Sequence, residues 1–328
     1  MKSLSRTQAT YTGSYITQRR RMRAVIAVTC ISSVTLLVIV GVRLGKTGAF
    51  EKIAAGHRVT KQKIVLDWEN KKWSDVYNGT IVSLATMPLD PFYLSFRGFA
   101  AYYKAMELPE SEVRGALIDE SVASLRKSIA TKGVKPEAKV EYILGKAYFD
   151  KGYSYFDEAI KYLELSVASG YIGSDSWEYL ALAYSRLGDK TGAVRNFESA
   201  LTRSRADVLL ISAAKAYVEA GQHVKAEALL LELLASGNDE LAKENGRFVL
   251  GEIFKTRGDI QKAEEQYSLI LSKDPSSAEA HYQLGLTYQI TGDPIRARAE
   301  WRKTVSLDPM HAASRQKLSE KLYGKPGG

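Results

Sequence analysis

The sequence repeats itself at an interval of thirty-four residues near its C-terminal end. Residues 247–275 read RFVLGEIFKTRGDIQKAEEQYSLILSKDP, and residues 281–309 read HYQLGLTYQITGDPIRARAEWRKTVSLDP. The two stretches align without a gap. A fixed period of this size is typical of stacked helical hairpins, because each unit must present the same faces to its neighbours. The repeat therefore predicts an all-α solenoid. The aligned pairs are Leu250 with Leu284, Gly251 with Gly285, Phe254 with Tyr288, Gly258 with Gly292, Ala263 with Ala297, Tyr267 with Trp301 and Pro275 with Pro309.

The same pattern extends upstream. Residues 176–201 and 209–234 restore it, and residues 140–167 match through Gly145 and Gly152 before reaching Ala159 two residues late. These residues resemble the tetratricopeptide repeat family, whose unit carries Trp, Leu, Gly, Tyr, Gly, Ala, Phe or Tyr, Ala and Pro in that order. The resemblance covers residues 138–311 as five units. It implies a right-handed superhelical solenoid of antiparallel helix pairs.

The pattern weakens on both sides of these five units. YLSFRGFAAYYKAM has Leu94 and Gly98 where a further unit would have them, but the segment after it lacks the second-helix signature. Residues 63–137 are therefore interpreted as degenerate helical units. Residues 312–328 are interpreted as a capping helix and tail, because their polar side chains suit the outer face of a terminal unit.

A run of nineteen residues without a charge, Ala24–Val42, lies between RRRMR and Arg43. As a helix it would be about 28 Å long, close to the thickness of the hydrocarbon core of a bilayer. We expect one transmembrane helix here, between a basic segment, residues 1–23, and a basic linker, residues 43–62. A signal peptide cleaved near Ala49 is the alternative, although the apolar run exceeds the roughly 7–15 residues of a signal core.

The basic residues are concentrated at one end of the chain. The formal charge is +9, yet residues 1–63 hold twelve of the 46 Lys and Arg and one of the 37 acids. The remaining residues are nearly neutral, which argues against a nucleic-acid-binding protein. Basic residues are denser before the apolar run than after it. This bias predicts a cytoplasmic N-terminus and a repeat body on the periplasmic or extracytoplasmic side.

The sequence offers no recognisable catalytic or metal-binding motif. Cys30 is the only cysteine, and it lies inside the apolar run. The four histidines are far apart, and none belongs to a metal-binding motif. GVRLGKT, at residues 41–47, has three residues between its glycines, whereas a phosphate-binding loop needs four. We therefore expect a non-catalytic protein without a cofactor, a bound metal or a small-molecule substrate.

The resemblance places the first helix of each unit along a concave groove, where a protein partner would bind. We expect a membrane-anchored interaction scaffold of the cell envelope, acting in assembly or secretion. A chaperone-like accessory of a translocon and a non-catalytic subunit of an enzyme complex are the alternatives. The predicted partner-binding residues are Tyr142, Lys146, Phe149, Leu182, Lys215, Phe248, Glu252, Tyr282, Leu286 and Gln289.

Overall fold

The computed structural model describes residues 59–131 and 137–320, and all regular structure in these two ranges is helical. The chain divides into two compact units between Val134 and Lys135. The predicted transmembrane helix, Ala24–Val42, lies outside the described residues. Among the helices that are described, none combines the length and the apolar content that a bilayer span requires.

The N-terminal unit contains four described helices: α1, Lys61–Glu69; α2, Trp73–Thr86; α3, Pro91–Met106; and α4, Glu112–Ala130. Asp90 caps α3 by accepting hydrogen bonds from the backbone N–H groups of Phe92 and Tyr93, and Pro91 occupies the first turn, where its missing N–H costs nothing. Ser111 caps α4 through the N–H of Arg114 in the same way.

Helices α3 and α4 pack closely at Gly98. A Cβ atom at Gly98 would overlap the side chain of Leu125 on α4, so only glycine allows this approach. Leu94 and Leu125 are both buried. The first-helix pattern at Leu94 and Gly98 thus does form half of a helix pair, although α4 lacks the second-helix signature.

The C-terminal unit is a run of helix pairs closed by a single last helix. Its helices are α5, Ala138–Lys151; α6, Phe156–Ala168; α7, Ser176–Arg186; α8, Lys190–Leu201; α9, Asp207–Glu219; α10, His223–Ser236; α11, Glu240–Arg257; α12, Ile260–Lys273; α13, Ala278–Ile290; α14, Pro294–Leu307; and α15, Ala312–Ser319.

Each pair turns at a glycine with a positive φ angle, between 73° and 98°, where a side chain would be strained. After Gly152 the chain forms a short 3-10 turn, Tyr153–Tyr155, before α6 begins. This turn accommodates the two extra residues that displace Ala159 in the sequence pattern. The five glycines are Gly152, Gly188, Gly221, Gly258 and Gly292.

The repeated small residues lie where the two helices of a pair meet. A Cβ atom at Gly145 would lie 2.7 Å from Cγ of Leu163, and one at Gly285 would overlap the indole of Trp301. Ala159 and Ala297 are buried on the facing helices. One continuous apolar core therefore runs from α7 to α14.

Candidate partner-binding groove

Three consecutive first helices, α9, α11 and α13, border a groove with a volume of about 530 Å³. We call it the α9–α11–α13 groove. It brings together three of the predicted residues, Lys215, Phe248 and Glu252. Its lining residues are Lys215, Val218, Glu219, Asn245, Phe248, Val249, Glu252, Glu279 and Gln283.

The floor of the groove is apolar. Val218, Phe248 and Val249 are half-buried and pack against the core of the C-terminal unit. The Phe248 ring lies 6.2 Å from the ring of Tyr267, which is 1% exposed and fills the space beside Gly251. The floor is therefore supported by well-packed side chains while one face of Phe248 stays open to the groove.

A chain of hydrogen bonds connects α11 to α13 along one wall. The Lys255 ammonium lies 2.7 Å from Oε2 of Glu252 and donates a 2.7 Å hydrogen bond to Oε1 of Gln283. Gln283 in turn donates from Nε2 to Oε1 of Glu279 at 2.7 Å. These bonds restrain the carboxylates of Glu252 and Glu279, and both residues line the groove.

Helices α9 and α11 also carry polar side chains that line the groove and that no other side chain engages within the described residues. Within residues 59–131 and 137–320, Lys215, Glu219 and Asn245 are exposed and make no side-chain hydrogen bond or ion pair. An exposed Lys, carboxylate or amide without an internal partner is free to bind another molecule. The groove thus combines a supported apolar floor with available donors and acceptors.

Two carboxylates that line the groove, Glu252 and Glu279, contribute to raised pKa values of nearby tyrosines. Burial raises the pKa of the Tyr267 phenol, and the negative charges of Glu252 and Glu279 raise it further. Burial, Glu279 and Glu320 likewise raise the pKa of Tyr282. Burial is the main cause of both shifts, and the nearby carboxylates add to it in the same direction.

Tyr142 and Lys146 differ from the other predicted residues because the chain itself covers them. Tyr142 is 5% and Lys146 7% exposed. The Tyr142 hydroxyl donates to Oδ1 of Asp175, and the Lys146 ammonium lies 2.7 Å from Oδ2 of the same carboxylate. Tyr142 therefore does not face water, and a role of Tyr142 and Lys146 in partner binding stays a prediction. The connection between α6 and α7 covers Tyr142: the ring of Tyr171 lies 5.3 Å from the ring of Tyr142, and Gly173 lies against the same ring.

The remaining predicted residues lie on first helices but do not line the groove. Phe149 packs edge to face on Tyr179 at 5.1 Å, and Tyr282 lies 4.8 Å from His311. Leu182 and Leu286 are half-buried against the core, and Gln289 is exposed. Their role in partner binding stays a prediction.

Six lining residues are not among the predicted partner-binding residues: Val218, Glu219, Asn245, Val249, Glu279 and Gln283. The signal that could have identified most of them is helical spacing. Asn245 precedes Phe248 by three residues, Glu279 precedes Tyr282 by three, and Glu219 follows Lys215 by four, so each lies on the same helix face as a predicted residue. In the described residues, no group of three or more His, Cys, Asp or Glu is arranged to hold a metal ion.

Comparison with known proteins supports the repeat assignment. Residues 278–311 match a family model described as a tetratricopeptide repeat. Superkiller complex protein 3 of Homo sapiens is 34% identical over 121 residues, which are 35% of this chain and 8% of that protein. The chain thus spans less than a tenth of the length of this curated relative.

One solved structure shows the same fold at low sequence identity, and a second is similar over part of the chain. The C-terminal part of a TPR repeat-containing protein from Cytophaga hutchinsonii is 16% identical, with a TM-score of 0.58, over 80% of this chain and 100% of that one. MamA from Desulfovibrio magneticus is 19% identical, with a TM-score of 0.48, over 54% of this chain and 97% of that one.

Proposed function

From the premise that this chain is a tetratricopeptide repeat protein, we propose that it is a non-catalytic, membrane-anchored scaffold. It holds a segment of a partner protein in the α9–α11–α13 groove, and it acts in the assembly or secretion machinery of the cell envelope. The observation that carries the proposal is the groove itself, in which the half-buried Phe248 lies among polar side chains. Three of them, Lys215, Glu219 and Asn245, have no side-chain partner within the described residues.

The groove has the features of a peptide-recognition site. An aromatic side chain supported from below and open from above is suited to anchor an apolar side chain of a partner. The amide of Asn245 and the charged groups around it would add orientation and specificity. Such a groove selects an extended or helical segment by a few contacts.

The anchoring part of the proposal is supported by the sequence alone. Ala24–Val42 has the length and apolar character of a membrane helix, and RRRMR before it favours a cytoplasmic N-terminus. A reporter enzyme that is active only outside the cytoplasm, fused after Gly328, should be active. Activity of a cytoplasmic reporter alone at this position would contradict the proposed orientation.

Site-specific crosslinking tests the binding part. A photoreactive amino acid replaces Val249, which lines the groove, or Val224, which is 76% exposed and lies outside its lining. In native membranes, the Val249 probe should crosslink a small, reproducible set of partners that the Val224 probe does not reach. A broad range of unfolded clients would favour the chaperone-like alternative, and a catalytic chain would favour the enzyme-subunit alternative. Identical crosslinks from both positions would contradict a binding site in the groove.

A further inference from the structure

The charge that the groove presents to solvent is predominantly negative. Glu219, Glu252 and Glu279 line it, against the single ammonium group of Lys215. The side chains of Glu252 and Glu279 are 57% and 50% exposed. Lys255 balances Glu252, but its side chain is only 9% exposed, so a partner meets the carboxylates and not this ammonium.

Two of these carboxylates are held in position before any partner arrives. Glu252 is fixed by Lys255, and Glu279 accepts a hydrogen bond from Gln283 and lies 3.6 Å from the imidazole of His311. Each carboxylate has lone pairs beyond these contacts. Because these contacts already restrain both side chains, binding a cation would cost less additional side-chain entropy than at two unpaired carboxylates.

Asn245 supplies the complementary group for a main chain. Its exposed amide carries both a donor and an acceptor, and it makes no side-chain hydrogen bond within the described ranges. It lies three residues before Phe248 on α11 and therefore on the same helix face. The backbone of a bound segment offers the matching groups: a C=O that accepts from the Asn245 amide N–H and an N–H that donates to its amide oxygen.

Resting on the proposed function, we infer that the groove takes a partner segment in which basic side chains flank a bulky apolar residue. The apolar residue lies on Val218, Phe248 and Val249. The Lys or Arg side chains of the segment form ion pairs with Glu219, Glu252 and Glu279, since charged groups across an interface select a partner of opposite sign. An acidic segment would instead face three carboxylates and gain at most the contact with Lys215.

Two synthetic peptides test this inference on the full-length chain. They share one pattern of Leu and Trp residues and differ in their charged positions, which are all Lys in one and all Glu in the other. Fluorescence anisotropy should give a dissociation constant about tenfold lower for the Lys peptide, as expected for a few exposed ion pairs. The difference should shrink as salt is raised from about 0.05 M to about 0.5 M, because salt screens exposed charges.

Matched variants locate the effect. Glu219→Gln with Glu252→Gln should weaken binding of the Lys peptide several-fold, whereas Lys215→Gln should strengthen it. The control pair Glu110→Gln with Glu265→Gln removes the same charge from exposed positions outside the groove and should leave affinity unchanged. Circular dichroism checks that each variant remains folded.

The outcomes separate this inference from the proposed function. If the Glu peptide binds as tightly as the Lys peptide and Phe248→Ala abolishes binding of both, the charge preference is wrong and the groove still binds segments. An equal loss with the control pair would show a response to net charge and would also overturn the inference. If neither peptide binds, both the inference and the proposed groove function fail.

Discussion

The concave positions of α5 and of α11 are equivalent in the repeat but differ in what covers them. Tyr142 and Lys146 on α5 correspond to Phe248 and Glu252 on α11. On α5, Asp175 engages both side chains, and they are buried. On α11, Phe248 is half-buried and Glu252 is exposed, and both line an open groove. Equivalent repeat positions can therefore serve either internal packing or an external partner.

The comparison indicates that the segment connecting two helix pairs determines which concave side chains remain accessible to a partner. The segment between α6 and α7 brings Tyr171, Gly173 and Asp175 over the concave side chains of α5. Around α11 the neighbouring wall is formed by α9 and α13, and it leaves Phe248 open to the groove.

The largest effect is expected where helices of one pair touch. Gly285 lies on α13, and a side chain there would overlap the buried indole of Trp301. Gly285→Leu should therefore reduce the free energy of unfolding by about 3 kcal/mol or more, at the upper end of the usual cost of overpacking. Thermal unfolding followed by circular dichroism measures it. Gly115→Ala on α4, which meets no atom within 4 Å, is the control and should not lower the melting temperature.

A smaller loss of stability is expected from removing the carboxylate of Asp175, which contacts Tyr142 and Lys146 on α5. We call these three residues the closed site. Asp175→Ala leaves the nearly buried ammonium of Lys146 without its carboxylate. The side chain of Asp175 is 31% exposed. We therefore expect Asp175→Ala to reduce the free energy of unfolding by about 1–2 kcal/mol, less than the roughly 3–5 kcal/mol for breaking a fully buried pair.

Lys215→Ala makes the matched comparison in the α9–α11–α13 groove, which is the open site. Lys215 is exposed and has no ion pair in the described residues, so its removal should change stability by less than about 0.5 kcal/mol. Urea unfolding of both variants gives the two values. Equal losses would mean that the closed and open sites do not differ as described.

The smallest effect on stability is expected at Glu178 on α7, whose carboxyl group interacts with the charges of Asp175 and Lys146. Burial raises its pKa above the ordinary value of 4.5, Asp175 raises it further, and Lys146 partly opposes the shift. The folded chain then binds this proton more tightly than the unfolded chain, so stability falls as pH rises through the raised pKa.

Glu178→Gln should thus raise the melting temperature at pH 7 by about 1–2 °C. The gain should vanish below the ordinary pKa of 4.5, where both states of the wild-type carboxyl are protonated. Glu265→Gln, at an exposed position, is the control and should leave the melting temperature at pH 7 unchanged. A gain that persists at low pH would contradict the electrostatic explanation.

The sequence predicts the fold better than the site, for a physical reason. Gly258, Gly285 and Ala297 recur at a fixed spacing because every pair needs the same turn and the same close contact. The groove depends on exposure, which spacing alone does not encode. Phe248 and Tyr142 occupy equivalent positions, and only the connection that carries Asp175 distinguishes them. That connection has no assigned position in the repeat, so its effect could not be predicted.

The central claim is that the open groove holds a partner, and replacement of its aromatic floor residue tests it most directly. Phe248→Ala removes the open ring from the groove, whereas Ile295→Ala removes an apolar side chain that is 83% exposed outside the groove lining. Binding of a partner identified by crosslinking from Val249 is measured with the full-length chain by surface plasmon resonance. We predict that Phe248→Ala weakens binding by about 2 kcal/mol, roughly thirtyfold, and that Ile295→Ala has no effect, with circular dichroism checking that both variants remain folded. Equal binding by both variants and the wild-type chain would contradict the claim.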